Sequence, residues 1–331
     1  MRAVIVDVLG SPAGGRVGET DDPIAGEGQV LVEIHAAPVN YVDLVTLSGK
    51  YQFTPSLPYT PGKGPAGIVR AVGAGTEGLA IGDRVLAMAE YGGYAELVTI
   101  DHRQVYRLPD TMSFVDAAAM SLAFDTAWMA LRERARVRPG ETVLVLGAGG
   151  AVGGAAVQLA KAMGARVLAG VLPGNPVSGA DGVIDLSAPD LRNSLREQVY
   201  AANDGAGVDV VIDPLGGDPF DAAIRAVGWR GRVVVVGFAA GRIPTLKVNY
   251  LMLKNIEVSG LQISDYRGRT PELIAQCYRE LFGFYADGLV TAPRSTTMPL
   301  EDWRIALKMI EERTAQDRLV LLPHTSEEQH G

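Results

Sequence analysis

The sequence predicts an α/β chain of two domains, one β-rich and one a doubly wound parallel sheet. Three observations carry that prediction. The chain has 331 residues, more than a single compact core usually serves. Its first 120 residues hold short apolar runs broken by Gly, Pro and Asp clusters, the signature of strands and turns. From residue 121 onward, continuous apolar strands alternate with helices, as in a parallel sheet covered on both faces.

In order along the chain, strands are expected at 3–8, 30–35, 67–72, 84–87 and 96–100. The clusters Gly73-Ala74-Gly75 and Gly82-Asp83 separate them, and the set reads as a small, irregular barrel or sandwich. Helices follow at 116–120 and 126–134, then an uninterrupted apolar strand at 142–146. The next helix, 152–163, sets Val152, Ala156, Leu159, Ala160 and Met163 along one face. Strands at 166–172, 182–185, 208–212, 232–236 and 257–261 alternate with helices at 191–202 and 220–226. This delimits a doubly wound domain over 122–264. The remainder has helices at 271–286 and 300–313 and a last strand at 318–322, which is expected to return to the first domain. That domain is then discontinuous, 1–121 with 265–331. The polar tail from His324 is expected to be loosely held.

Composition narrows the function classes. Hydrophobic residues make up 47% and charged residues 21%, an ordinary globular balance. The net charge of −8, with no Lys/Arg cluster to offset it, argues against nucleic-acid binding. One cysteine, Cys277, can form neither an intrachain disulfide nor a four-cysteine zinc site, and its neighbours 273–278 look helical. It reads as a small packing residue. The opening segment 1–10 is a strand and a turn, interrupted by Asp7 and Gly10, rather than a signal sequence. No run of 18 apolar residues marks a membrane span. A reducing, cytoplasmic setting is the expectation.

The most informative segment is Gly147-Ala148-Gly149-Gly150-Ala151-Val152-Gly153, which follows a buried strand and opens a helix. That placement is the dinucleotide fingerprint. Gly147 permits the sharp turn, Gly150 removes a side chain where a pyrophosphate nears the backbone, and Gly153 lets helix and strand pack closely. The helix start at Ala151 and Val152 offers N–H groups and a positive dipole end to phosphates. A tight structural turn is the bland alternative. An acidic residue ending the second strand would mark NAD, and the strand 166–172 has none. No Lys or Arg stands between Arg166 and Arg192 either, and the loop 173–178 is Pro-rich. The local residues leave NADPH and NADH open.

The four histidines, His35, His102, His324 and His330, show no metal-ligand spacing, and no G-x-S-x-G elbow is present. His35 alternates with apolar strand residues and reads as structural. Hydride transfer requires neither metal nor nucleophile. One polar cluster stands out in the first domain: Pro38-Val39-Asn40-Tyr41-Val42-Asp43, followed by Ser48-Gly49-Lys50-Tyr51. Asn40 and Asp43 suit the cap of a short helix. They equally suit the lining of a nicotinamide cleft, and the two readings are compatible.

Taken together the chain resembles the zinc-free branch of the medium-chain dehydrogenases/reductases, in particular the zeta-crystallin-like NADPH:quinone oxidoreductases. The resemblance runs through 39–43, 57–62, 82–85, 92–96, 138–141, the glycine turn, 207–217, 231–238 and 253–255. It implies a GroES-like catalytic domain beside a Rossmann domain, a cleft between them, and a homodimer extended through the strand at 257–261. In zinc-dependent relatives a cysteine stands at the position of Asn40 and a His-Glu pair at Lys63-Gly64, so no zinc is expected. Carried over by position, Asn40, Asp43 and Tyr51 line the substrate and nicotinamide region, and Thr126 lies near the nicotinamide. Gly147, Gly150, Ala151, Val152 and Gly153 hold the pyrophosphate. Gly237, Phe238 and Leu261 border the nicotinamide end, and Arg318 reaches the pyrophosphate. Val45 departs from the tyrosine of several quinone reductases. The implied activity is NADPH-dependent hydride transfer to a quinone or related conjugated carbonyl, with Tyr51 or solvent giving the proton. An enoyl or enone reductase and a non-catalytic dinucleotide-binding protein are the alternatives.

Overall fold

The computed structural model describes residues 1–52, 55–174 and 177–324. The chain divides into two compact units. The first comprises Met1–Leu122, Thr270–Tyr278 and Thr291–Gly331; the second comprises Ala123–Arg269 and Arg279–Val290. Asn175 and Pro176 of the Pro-rich loop, and the tail beyond His324, lie outside the described residues.

The first unit opens with β1 (Arg2–Val6), which pairs antiparallel with β2 (Gly15–Glu19). β3 (Gln29–Pro38) buries Val30, Val32, Ile34 and Ala36 completely, every second residue, as the pleat of a half-covered strand requires. The short helix α1 (Tyr41–Leu47) follows it directly. β4 (Ala66–Val72), β5 (Arg84–Ala87), β6 (Leu97–Asp101) and β7 (Val105–Arg107) continue the β-rich region. α2 (Phe114–Met120) starts where the Ser113 hydroxyl accepts the Asp116 N–H at 3.0 Å, an N-cap legible in the sequence.

The second unit begins with α3 (Ala123–Trp128), which passes into a π-helical stretch, Met129–Arg134. β8 (Thr142–Leu146) is buried at every position. Its Val143, Leu144, Val145 and Leu146 are fully enclosed, contributing about 1.5–3 kcal/mol each, which fixes this strand at the middle of its sheet. There follow α4 (Ala151–Ala162), β9 (Arg166–Val171), β10 (Gly182–Asp185), α5 (Leu191–Ala202), β11 (Val208–Asp213) and α6 (Gly217–Ala226). β12 (Val227–Val235), α7 (Asn249–Lys254), β13 (Glu257–Gly260) and α8 (Ile263–Arg269) complete it. The strand order is β10-β9-β8-β11-β12-β13, all parallel. This is the doubly wound order, with its reversal between β8 and β11, where ligands bind at the strand C-termini.

α9 (Pro271–Ala286), β14 (Ser295–Pro299), α10 (Trp303–Glu311) and β15 (Arg318–Leu322) end the chain. β15 pairs antiparallel with β3, so the last strand does return to the first unit. The resulting sheet runs β14-β15-β3-β4-β5-β7, and β6 pairs antiparallel with the first half of β3 off that line. Trp303, Leu307, Leu319 and Leu321 join Val32 and Ile34 in one core.

Several differences from the expected elements have physical reasons. β2 (Gly-Arg-Val-Gly-Glu) and β14 (Ser-Thr-Thr-Met-Pro) carry little apolar pattern, and backbone pairing alone makes them strands. β12 starts earlier than residue 232. Its Val227 pairs with Val208, and the register then shifts so that Arg232 meets Val210, pushing Trp229 and Arg230 into solvent. The expected helix at 300–313 divides into a 3-10 turn, Leu300–Asp302, and α10, and Arg313 takes a left-handed φ of 57°. His35 stacks on Phe114 at 4.7 Å, a packing role. Cys277 is fully buried in α9.

Candidate functional site

The turn from β8 into α4 uses its glycines as the spacing requires. Gly147 leaves the strand with φ +63°, and an added Cβ would meet the Leu215 side chain at 2.9 Å. A Cβ on Gly153 would lie 2.1 Å from the Gly147 carbonyl oxygen, so helix and turn touch through backbone alone. Gly150 is different. It is the N-cap of α4, and a Cβ there would meet nothing nearer than the Gly147 oxygen at 3.3 Å. The Gly150 N–H closes the turn on the Gly147 carbonyl at 2.9 Å, and the Ala148 N–H ties it to Gly170 of β9 at 3.0 Å. The first turn of α4, at Ala151 and Val152, carries N–H groups without intrahelical acceptors. A helix start with these donors and no side chain in the way fits a pyrophosphate.

At the neighbouring strand end, Asp213 closes β11. Its Oδ1 accepts the N–H groups of Leu215 and Gly216, each at 2.9 Å, and folds the following loop so that Leu215 covers Gly147. Burial pushes the Asp213 carboxyl above its ordinary range, opposed by those two N–H groups. Gly237, Phe238 and Leu261 share one depression of about 350 Å³ with Val235, Val236, Gly260 and Gln262. Thr126 is buried in α3, and its hydroxyl donates to Asp125 at 3.3 Å. Asp125 in turn pairs with Arg267 of α8 at 2.8 Å, both sealed from water.

In the first unit the polar cluster forms a connected network. Asn40 is the N-cap of α1, and Asp43, the helix's third residue, reaches back to accept the Asn40 N–H at 2.9 Å. The same carboxylate oxygen accepts the Tyr94 hydroxyl at 2.9 Å. Burial pushes the Asp43 carboxyl up to about 6; the Asn40 N–H, Lys63, Tyr94 and Arg318 oppose it. Burial and the adjacent Asp43 push the Tyr94 phenol well up. Arg318 donates from Nη2 to Asn40 Oδ1 at 2.8 Å and from Nε to the Ala119 carbonyl at 3.3 Å. Lys63, 3% exposed, donates to the Glu90 carbonyl at 2.7 Å and to its carboxylate at 2.6 Å. Its ammonium lies 5.0 Å from the centre of the Tyr51 ring.

The expected residues therefore fall into three groups. Asp43 and Arg318 each bond to Asn40, and Tyr51 lies against Lys63, whose charge acts on Asp43. Gly147, Gly150, Ala151, Val152 and Gly153 form one turn. Gly237, Phe238 and Leu261 line one depression. Thr126 sits on the Asp125–Arg267 pair. Tyr94, Lys63 and Glu90 escaped the reading of the sequence as site residues. A lysine inside the Pro-Gly turn 61–64 was the one available signal, since a charge in a tight turn beside apolar strands needs a partner. Among the described residues, no group of three or more His, Cys, Asp or Glu comes together to hold a metal. Nor is any single described helix long and apolar enough to cross a membrane.

Comparison with known proteins bears on both units. The family model for the alcohol dehydrogenase GroES-like domain matches residues 26–110, and that for the zinc-binding dehydrogenase domain matches residues 151–279. Quinone oxidoreductase-like protein 2 homolog of Nematostella vectensis is 32% identical over 331 residues, covering 97% of this chain and 88% of the relative. Quinone oxidoreductase of Rattus norvegicus is 37% identical over 241 residues, covering 72% of this chain and 73% of the relative. Among solved structures, the Escherichia coli quinone oxidoreductase complexed with NADPH superposes with a TM-score of 0.87 at 29% identity, covering 98% and 100% of the two chains.

Proposed function

Because this chain belongs to the quinone oxidoreductase-like family of the medium-chain dehydrogenases/reductases, we propose that it is a zinc-independent, NADPH-dependent reductase of a quinone or related conjugated carbonyl. The observation that carries the reading is the β8–α4 turn. It combines a left-handed Gly147, a Gly150 without a side chain, and a helix start whose N–H groups lack intrahelical acceptors and suit an anion. The dinucleotide, when bound, supplies the hydride. Ala151 and Val152 hold its pyrophosphate through backbone N–H groups. Gly237, Phe238 and Leu261 give the nicotinamide end an apolar wall that excludes water.

In the first unit, Asn40 offers an amide to the ligand and Asp43 holds its backbone in place. Tyr51 holds a proton on its hydroxyl, with its ring fixed against the Lys63 ammonium, and is the candidate acid for the reduced acceptor. Lys63 also supports the zinc-free reading. Its buried ammonium is engaged by Glu90 at the position where the zinc-dependent relatives carry a metal ligand.

Partner contact is proposed at the free edge of the parallel sheet. β13 is an edge strand, and Ile243, Val248, Met252 and Leu253 stand exposed before it. A second copy pairing there by two-fold symmetry covers both the edge and the apolar residues.

Titration of the protein with NADPH and NADH, followed by turnover on a quinone and on an enoyl thioester, tests the reading. Tighter NADPH binding and quinone turnover are expected, unchanged by chelator. Preference for NADH by about tenfold or more, worth about 1.4 kcal/mol, overturns the cofactor assignment. Turnover of the enoyl thioester alone makes the protein an enoyl reductase. Binding without turnover of any acceptor makes it a non-catalytic dinucleotide-binding protein.

A further inference from the structure

We infer that Arg318 is a positioning residue that fixes the polarity of the Asn40 amide, so that Asn40 presents an N–H donor and recognises a carbonyl oxygen. The inference rests on the proposed dinucleotide-dependent reductase and names the chemistry that Asn40 selects there.

A guanidinium carries five donors and no acceptor. The Asn40 atom 2.8 Å from Arg318 Nη2 is therefore the amide oxygen, and the reversed amide would set donor against donor. Arg318 is itself held. Its Nε donates to the Ala119 carbonyl at 3.3 Å, its backbone N–H donates to Arg294 at 2.8 Å, and the Asp43 carboxylate attracts its charge. Asn40 is held at its other end, where its backbone N–H is bound to Asp43. Turning the Asn40 amide therefore means breaking its bond to Arg318.

With the oxygen committed, the Asn40 NH₂ carries the remaining capacity. One hydrogen reaches the Pro38 carbonyl at a long 3.4 Å. Among the described residues no acceptor takes the second, in a residue only 5% exposed, and it is left to a ligand. A nearly buried N–H selects an acceptor atom strongly, because leaving it unmade costs its full desolvation. Two carbonyl oxygens meet that description under the proposed function: that of the electron-poor acceptor and that of the nicotinamide carboxamide. The shared chemistry is a neutral carbonyl oxygen accepting one N–H.

The test compares Asn40→Asp, Arg318→Gln, Arg318→Lys and the Asn40→Asp/Arg318→Gln double variant. Asn40→Asp keeps the shape and the pairing to Arg318 but offers the ligand only oxygens. It is expected to weaken binding by about tenfold or more with thermal stability retained. Arg318→Gln removes the lock and is expected to produce a loss that does not add to that of Asn40→Asp. Arg318→Lys, still a pure donor, is expected to restore most of it. A rise in the NADPH Kd assigns the carboxamide; a rise in acceptor KM at unchanged Kd assigns the acceptor carbonyl.

A ligand-free measurement separates this inference from the functional reading. The Asn40 side-chain amide resonances, identified by their loss in Asn40→Asp, are expected to shift in Arg318→Gln and return in Arg318→Lys. Unshifted resonances in Arg318→Gln, or wild-type binding constants in Asn40→Asp, overturn the inference. Absence of NADPH and NADH binding to the wild-type protein, with the resonance shift present, overturns the functional reading instead.

Discussion

A Cβ placed on Gly153 would lie 2.1 Å from the carbonyl oxygen of Gly147, well inside contact distance with an atom the turn cannot move. Gly153→Ala is therefore expected to cost about 3 kcal/mol or more of stability, since a backbone clash allows no rotamer escape. Gly150→Ala is the contrasting variant. Its φ of −84° suits alanine and its Cβ meets only the Gly147 carbonyl oxygen, at a tight 3.3 Å, so the loss of stability should be far smaller while NADPH affinity falls by about tenfold. Thermal unfolding and cofactor titration of the pair check this. Equal binding by Gly150→Ala and wild type would sink the pyrophosphate assignment.

Asp43 makes stability depend on pH. Folding raises its carboxyl from an ordinary 3.8 to about 6, chiefly through burial. Between those values the native state holds a proton that the unfolded chain has released. Its contribution to stability therefore falls as pH rises through this window and levels off above about 6. Asp43→Asn has no such group. Relative to wild type, it should gain stability between about pH 4 and pH 6, by up to about 3 kcal/mol. Denaturant unfolding of both proteins across that range measures the difference. A difference that does not change with pH contradicts the expectation.

The Asp125–Arg267 pair joins α3 to α8 with both side chains out of water, at 2% exposure or less. Arg267→Met removes the counter-charge of the buried Asp125 carboxylate and is expected to cost about 3–5 kcal/mol. Asp125→Leu/Arg267→Met, which strands neither charge, should recover much of that loss. Urea unfolding of the two variants is the measurement. A double variant no more stable than the single one would show that the pair does more than cancel its own burial.

The edge of the parallel sheet gives a prediction about assembly. Val248 and Met252 are each 72% exposed on or beside α7. Charged residues there should oppose self-association through β13. Val248→Glu/Met252→Glu is expected to sediment as a monomer with its cofactor affinity retained, against a dimeric wild type. A wild-type protein that is monomeric at all concentrations removes the proposed interface.

The sequence by itself determined the elements whose signal is local. The strands at 84–87, 182–185 and 318–322 and the helices at 191–202 and 271–286 coincide with the observed ones, because apolar periodicity sets them. The glycine turn was legible for the same reason: strand, turn and helix are contiguous, and Gly150 and Gly153 both answer to the nearby Gly147 carbonyl, although Gly147 itself answers to the distant Leu215. β2 and β14 were not legible, since their strand character comes from partners rather than from their own residues. The polar network was decided by tertiary structure alone. Tyr94 reaches Asp43 across 51 residues of sequence, and Arg318 reaches Asn40 across 278. No pattern in the chain encodes such a meeting, because it arises only when β15 pairs with β3 and brings the end of the chain to the start of α1. The family resemblance singled out Asn40 and Arg318 one by one. Only the folded sheet set one beside the other and fixed which way the amide faces.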